Sequence, residues 1–180
     1  MATRLVALLR GINVGRNKRV AMSDLRELLQ GLGYTEVRTH LQSGNAVFTS
    51  ASAATAGVAR SIQQAVARDL GVESTVTVRT AADLTRIVAS DPLLEVMTDS
   101  AKHLVGFLAG DPLPTAEGAL AALDLGPDLA RLVGRELYLW CPRGVIDSAF
   151  SRVAWDRQLG VPVTMRNWNT VTRIAELANS

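Results

Sequence analysis

One cysteine, two histidines and eight aromatic rings are all that 180 residues hold of those types. A single thiol, Cys141, permits no internal disulfide, so the fold must stand on its core alone. Cys141 also falls in an apolar, strand-like run, where a small buried hydrophobe is the better reading than a nucleophile. His40 and His103 have no Cys, Asp or Glu at metal-ligand spacing, so neither a metal site nor a cofactor is expected. Neither histidine belongs to a Ser-His-Asp or Cys-His pattern. Asp147 and Asp156 are accounted for by helix capping and a helix surface, which leaves no carboxylate pair for acid–base chemistry. No catalytic residue can be named.

Long apolar runs are missing as well. No stretch reaches the roughly 18 residues of a membrane-spanning helix. The short run Leu5 to Leu9 is too brief for a signal peptide. A cytoplasmic protein with no membrane partner is the expectation. Excess charge is missing too: 19 basic residues face 17 acidic ones, a formal net charge of +2. That balance gives no general attraction to nucleic acid. Sheets that bind RNA stack bases on aromatic side chains, and the first strand-like run, Arg4 to Arg10, contains none. Nucleic acid is therefore not the expected partner.

What is present is a regular change of hydrophobic period along the chain. Arg4 to Arg10 is nearly continuous in apolar residues, as in a central strand covered on both faces. Leu25, Leu28, Leu29 and Leu32 then recur at helical spacing, with Ser23 as the expected N-cap and Gly33 as the stop. From Glu36 to Leu41 the pattern alternates, Val37, Thr39 and Leu41 on one face and Glu36, Arg38 and His40 on the other. Those charges suit an edge strand. Gln42 to Asn45 is a tight-turn signal, and Ala46 to Thr49 the returning strand. Val58, Ile62, Val66 and Leu70 mark a long helix closed by Gly71, and Thr75 to Arg79 alternates again with Val76 and Val78 inward.

Strand, helix, strand, strand, helix, strand is the split βαβ order of a ferredoxin-like domain. A looser copy follows: a strand over Lys102 to Ala109, a helix over Ala116 to Leu123, and a hairpin of Leu129 to Val133 with Leu137 to Cys141. Asp147 is expected to cap a helix through Arg157, ahead of a strand over Val161 to Met165. Thr80 and Asp83 have capping-box spacing at the start of a short helix that Asp91-Pro92 ends. The expected fold is α+β, two ferredoxin-like (split βαβ) halves with antiparallel sheets, plus a C-terminal helix. The expected divisions are 1–80, a helical linker 81–100, a second half 101–166 and the helix 167–180.

Three polar segments stand out against this frame. The loop from Arg10 to Met22 holds Gly11, Gly15 and the cations Arg10, Arg16, Lys18 and Arg19 without one acid. Backbone freedom and positive charge suit an anion, although the same residues would serve a solvated basic turn, and neither phosphate-loop fingerprint is present. Gln42-Ser43-Gly44-Asn45 offers amides and a hydroxyl, or merely turn formers. Arg166-Asn167-Trp168-Asn169-Thr170 lies where a strand yields to the last helix, a position for an N-cap or for an anion, with Trp168 more often packing than a stacking platform. In a split βαβ unit the first two strands run the same way. The Arg10 loop and the Gln42 turn therefore leave at one sheet edge.

Leu8-Leu9-Arg10-Gly11-Ile12-Asn13-Val14-Gly15, then Met22 with Leu25 and Leu28, then Gln42 to Asn45, then Arg166 to Thr170 resemble the DUF1697 family, a domain of unknown function. The resemblance runs from about residue 3 to 178. It implies a small, bacterial-type protein with an α+β fold of ferredoxin-like halves, and it implies no activity. Arg16 stands where a second glycine is usual, Met165 where threonine is common, and Ala149 where lysine is common. Ser148 is for that last reason left out of the candidate site.

The leading functional expectation is a binding module for an anionic small molecule, a nucleotide or phosphorylated metabolite. Its site would comprise Arg10, Asn13, Lys18, Gln42, Ser43 and Asn45, joined by Arg166, Asn167 and Asn169 if the halves fold over that edge. An enzyme of phosphate or acyl-phosphate chemistry is the alternative, by analogy with acylphosphatase-like arginine loops. A structural homodimer paired through the edge strand, and a nucleic-acid binder, are further alternatives.

Overall fold

The computed structural model describes residues 2–180. Contacts divide the chain into two units. One runs to Arg86 and takes in Arg173–Ser180, and the other is Ile87–Thr172. The first unit contains β1 (Thr3–Leu9), α1 (Met22–Gly31), β2 (Thr35–His40), β3 (Asn45–Ser50), α2 (Thr55–Leu70) and β4 (Val76–Thr80). Its sheet has the order β2-β3-β1-β4, with every pairing antiparallel. That is the ferredoxin-like arrangement. β1 and β2 both oppose β3, so they run in one direction with β3 between them.

β1 is central because it can be covered everywhere: Leu5 to Leu9 are wholly buried. Leu5, Ala7 and Leu9 enter one core with Leu25 and Leu29 of α1 and Val58, Ile62 and Val66 of α2. Each of these leucine, valine and isoleucine side chains contributes about 1.5–3 kcal/mol on burial, and Ala7 less. α1 begins one residue before the expected cap. Its N-cap is Ala21, with extended backbone and no side-chain cap, while Ser23 donates instead to Asp24 Oδ1 at 3.3 Å. Burying Met22 in the core draws it into the first turn. The helix closes as sequence suggests, with Gly33 N–H on Gln30 O and Tyr34 N–H on Leu29 O, the paired bonds of a Schellman ending.

β2 is an edge strand, but its alternation is interrupted. Thr35 pairs Thr49 and Arg38 pairs Val47, so β2 carries one extra residue, and Glu36 takes φ +51°. That is a bulge. Arg4 Nη1 secures it, donating to Glu36 Oε2 at 3.2 Å and Thr49 Oγ1 at 3.1 Å. The strand ends at His40, and Leu41 does not share the inner face with Val37. It turns out with φ +60° and is 56% exposed.

The linker between the expected halves begins with the capping box read from the sequence. Thr80 N–H donates to Asp83 Oδ2 and Asp83 N–H to Thr80 Oγ1, both at 3.0 Å, opening α3 (Ala81–Ala89).

In the second unit β5 (His103–Leu108), α4 (Ala116–Ala121), β6 (Leu129–Val133), β7 (Glu136–Trp140), α5 (Trp155–Leu159) and β8 (Val163–Asn167) repeat the plan. The order is β6-β7-β5-β8, again antiparallel. α6 (Trp168–Ala178) follows. One expected helix is corrected. The cap is Ser148 rather than Asp147, and it closes a 3₁₀ turn over Ala149–Arg152 by accepting from Phe150 N–H. α5 starts separately. Phe150 and Trp155 both enter the core with ring centres 5.6 Å apart. Five residues apart on one α-helix they would face different directions, so the chain breaks between them.

His103 opens β5 as expected, yet it has a partner that spacing did not reveal. Its Nε2 lies 2.6 Å from Asp91 Oδ2 and its Nδ1 2.8 Å from Leu139 O. Both side chains are fully buried, and Trp168 packs on the imidazole at 5.0 Å. A carbonyl only accepts, so Nδ1 carries hydrogen and one proton lies between Nε2 and the carboxylate. The pair is neutral as a whole, which is how two ionisable groups can occupy a core. No described helix is long and apolar enough to cross a membrane.

Candidate functional site

The exit of β1 has two flanks because β1 has two neighbours. Towards β3, Leu9 N–H donates to Gly44 O at 2.9 Å; towards β4, Arg10 N–H donates to Thr75 O at 3.0 Å. The loop from Arg10 to Ala21 therefore stands between the β2–β3 turn and the α2–β4 connection. Each flank has its own character.

On the β3 flank Asn13 holds the loop together. Its Nδ2 donates to Val20 O at 2.8 Å and to Gln42 O at 2.7 Å, while its Oδ1 accepts from Val20 N–H at 2.9 Å. The backbone adds Asn13 N–H to Lys18 O at 3.0 Å. Asn13 has φ +56°, a left-handed conformation that asparagine tolerates better than most residues. The amide thus spends its capacity on backbone groups and closes residues 13–20 into a stapled loop. Gly44 fits beneath it: at φ +85°, an added Cβ would lie 2.6 Å from Ile12 Cδ1 and 2.9 Å from Leu9 Cβ.

Asn45 is likewise turned inward. It is fully buried, and its Nδ2 donates to His40 O at 2.8 Å and to Ser43 Oγ at 3.1 Å. Gln42 and Ser43 are exposed. The shared edge inferred from the sequence therefore does bring Asn13 against the Gln42 turn, and the bonds there are those of chain to chain.

On the β4 flank lies a cleft of about 650 Å³ lined by Arg10, Gly11, Lys18, Gln63, Gln64, Ala67, Glu73, Ser74 and Thr75. Two of the sequence-derived residues, Arg10 and Lys18, are among them. The stapled loop is what sets Lys18 there, with φ +51°. Ser74 Oγ donates to Arg10 O at 2.8 Å, and Gln63 Oε1 accepts from Val76 N–H at 3.2 Å. The walls are thereby tied to the sheet. Among the described residues the Lys18 ammonium and the Glu73 carboxylate enter no ion pair. Two cations and one acid leave the lining with a net positive charge.

Gln63, Gln64, Glu73, Ser74 and Thr75 were not among the expected site residues. A signal for the last three existed. In a ferredoxin-like sheet β4 lies beside β1 and antiparallel to it, so residues entering β4 stand where β1 leaves. The glutamines sit on the outer side of α2, and nothing in their spacing marks them.

Arg166, Asn167 and Asn169 belong to the second unit. Arg166, paired with Val105 in register, donates to Met165 O at 2.9 Å, and burial pushes its pKa down to about 10. Asn167 caps α6, its Oδ1 accepting from Thr170 N–H at 2.9 Å. Asn169 is exposed on the first turn.

Comparison with protein families matches residues 2–138 to one described as "Protein of unknown function (DUF1697)". Comparison with curated proteins finds no match. Among solved structures the chain is similar to a conserved bacterial protein, SP0830, from Streptococcus pneumoniae. That similarity has TM-score 0.81 at 22% identity and covers 99% of each chain. At that identity it speaks for the fold alone.

Proposed function

Since this chain belongs to the DUF1697 family of unknown function, membership brings no activity, and we propose from the cleft that it is a binding module for an anionic small molecule. The observation that carries this reading is the pair Arg10 and Lys18 lining one cleft, Lys18 entering no ion pair among the described residues. A guanidinium offers a planar fork to a carboxylate or phosphate, and an ammonium adds a point charge. A volume of about 650 Å³ falls within the usual range for small-molecule sites. Asn13 acts one step back, by fixing the loop that presents Lys18. Gln42, Ser43 and Asn45 support that loop from the far flank.

The acyl-phosphate alternative needs an asparagine to position water. Asn45 has both amide hydrogens engaged with His40 O and Ser43 Oγ, so the binding reading is preferred. Isothermal titration of the full chain with inorganic phosphate and pyrophosphate tests it. Arg10→Gln and Lys18→Gln should each weaken binding by roughly 10- to 100-fold, the worth of one charged hydrogen bond. Equal heats for wild type and both variants would contradict it.

A further inference from the structure

We infer that the anion is a phosphorylated polyol of the sugar-phosphate kind rather than a nucleotide; this rests on the anion-site reading above. No aromatic ring is among the described residues that line the cleft. Bases are commonly held by stacking on such rings or between apolar side chains, and the only apolar side chain in this lining is Ala67, so a base would find no platform there. What the lining offers beyond its cations is hydrogen-bonding capacity. Gln63 has its Oε1 fixed on Val76 N–H, which leaves its Nε2 as a donor in a set orientation. Gln64 adds a second amide, and Ala67, one turn further along α2, is small enough to leave room beside them.

Glu73 decides the class. Its carboxylate shares the cleft with Arg10 and Lys18 and pairs with no cation among the described residues. Such a group repels a second anion and accepts strongly from hydroxyls. A ligand with one phosphate and several hydroxyls matches both kinds of group in this lining, the phosphate suiting Arg10 and Lys18 and the hydroxyls suiting Glu73 and the glutamines. Inorganic phosphate alone would leave most of about 650 Å³ to water.

The test is isothermal titration of the full chain with inorganic phosphate, ribose 5-phosphate and AMP, which is the same sugar phosphate with a base attached. Ribose 5-phosphate should bind at least roughly tenfold more tightly than phosphate, and AMP no more tightly than ribose 5-phosphate. Glu73→Gln should move the two smaller probes in opposite directions, weakening ribose 5-phosphate and strengthening phosphate. Tighter binding of AMP than of ribose 5-phosphate, or a gain for both smaller probes in Glu73→Gln, would overturn the inference while the anion site stood. Phosphate binding that requires Arg10 without any added affinity for the sugar would do the same. Absence of phosphate binding in the wild type would remove the anion reading and this one together.

Discussion

Replacing Asn13 by alanine deletes three hydrogen bonds at once, and the geometry sets the size of the effect. Bonds of 2.7–2.9 Å to Val20 and Gln42 are each worth about 0.5–1.5 kcal/mol net. Water can replace part of that, because the contact to Gln42 is exposed, so a total near 2 kcal/mol is expected. Alanine must also adopt φ +56°, which adds about 1 kcal/mol that glycine would not incur. Asn13→Ala should therefore cost about 3 kcal/mol and Asn13→Gly about 2 kcal/mol. Urea denaturation of both variants measures the difference. Limited digestion with trypsin reads the local consequence, since Arg16, Lys18 and Arg19 lie inside the stapled segment and should be cleaved faster in either variant. Unchanged stability together with unchanged cleavage would refute the staple.

Asp91→Ala strips His103 of its buried partner and Leu93 N–H of its acceptor, a loss of about 3–5 kcal/mol for a broken buried pair. Asp91→Asn should cost less, because the amide can donate to a neutral imidazole; equal losses in denaturant melts would argue against the shared proton. Cys141 has its thiol pushed up by burial, with the Asp128 charge adding to it against the opposing Ser148 hydrogen bond. The folded value exceeds the unfolded one. Its stability contribution is therefore complete below the unfolded thiol pKa of about 8.5 and is lost as pH rises through the raised folded value. Cys141→Ala should flatten the alkaline side of the stability–pH curve, and an unaltered slope would count against it. Gly106→Ala would set a Cβ 2.7 Å from Val163 Cγ1 and 2.9 Å from Met165 Sδ, overpacking worth about 1–3 kcal/mol, measurable as a lowered Tm.

Fold was legible wherever one period dominated. The apolar run of β1, the four-residue rhythm of α2 and the Thr80–Asp83 box each had one dominant reading, and each formed. The failures share a cause: a tertiary demand overrode a local preference. Met22 entered α1 for the core although Ser23 is the better cap. Phe150 and Trp155 broke an expected helix by both packing inward, and the Glu36 bulge ended the alternation that had placed Leu41 inside. For the site, topology brought the Arg10 loop to the Gln42 turn, yet which amides face solvent is a matter of hydrogen-bond geometry. Asn13 and Asn45 look identical to a ligand's residues in sequence and differ only in what their Nδ2 atoms reach. His103 and Asp91 lie twelve positions apart, a separation that fits no metal or catalytic spacing, and only the fold, which returns the segment after α3 against the start of β5, reveals them as a pair.

The claim on which the functional account turns is that an anion enters on the β4 flank of the β1 exit. An amide-resolved NMR titration with inorganic phosphate tests it most directly. The account predicts saturable shifts at Gly11, Gln63, Gln64 and Thr75, reduced in Lys18→Gln and weakened by added salt as a screened charge interaction must be. Saturable shifts centred instead on Gln42 to Asn45, with Gly11 and Thr75 unmoved, would contradict it.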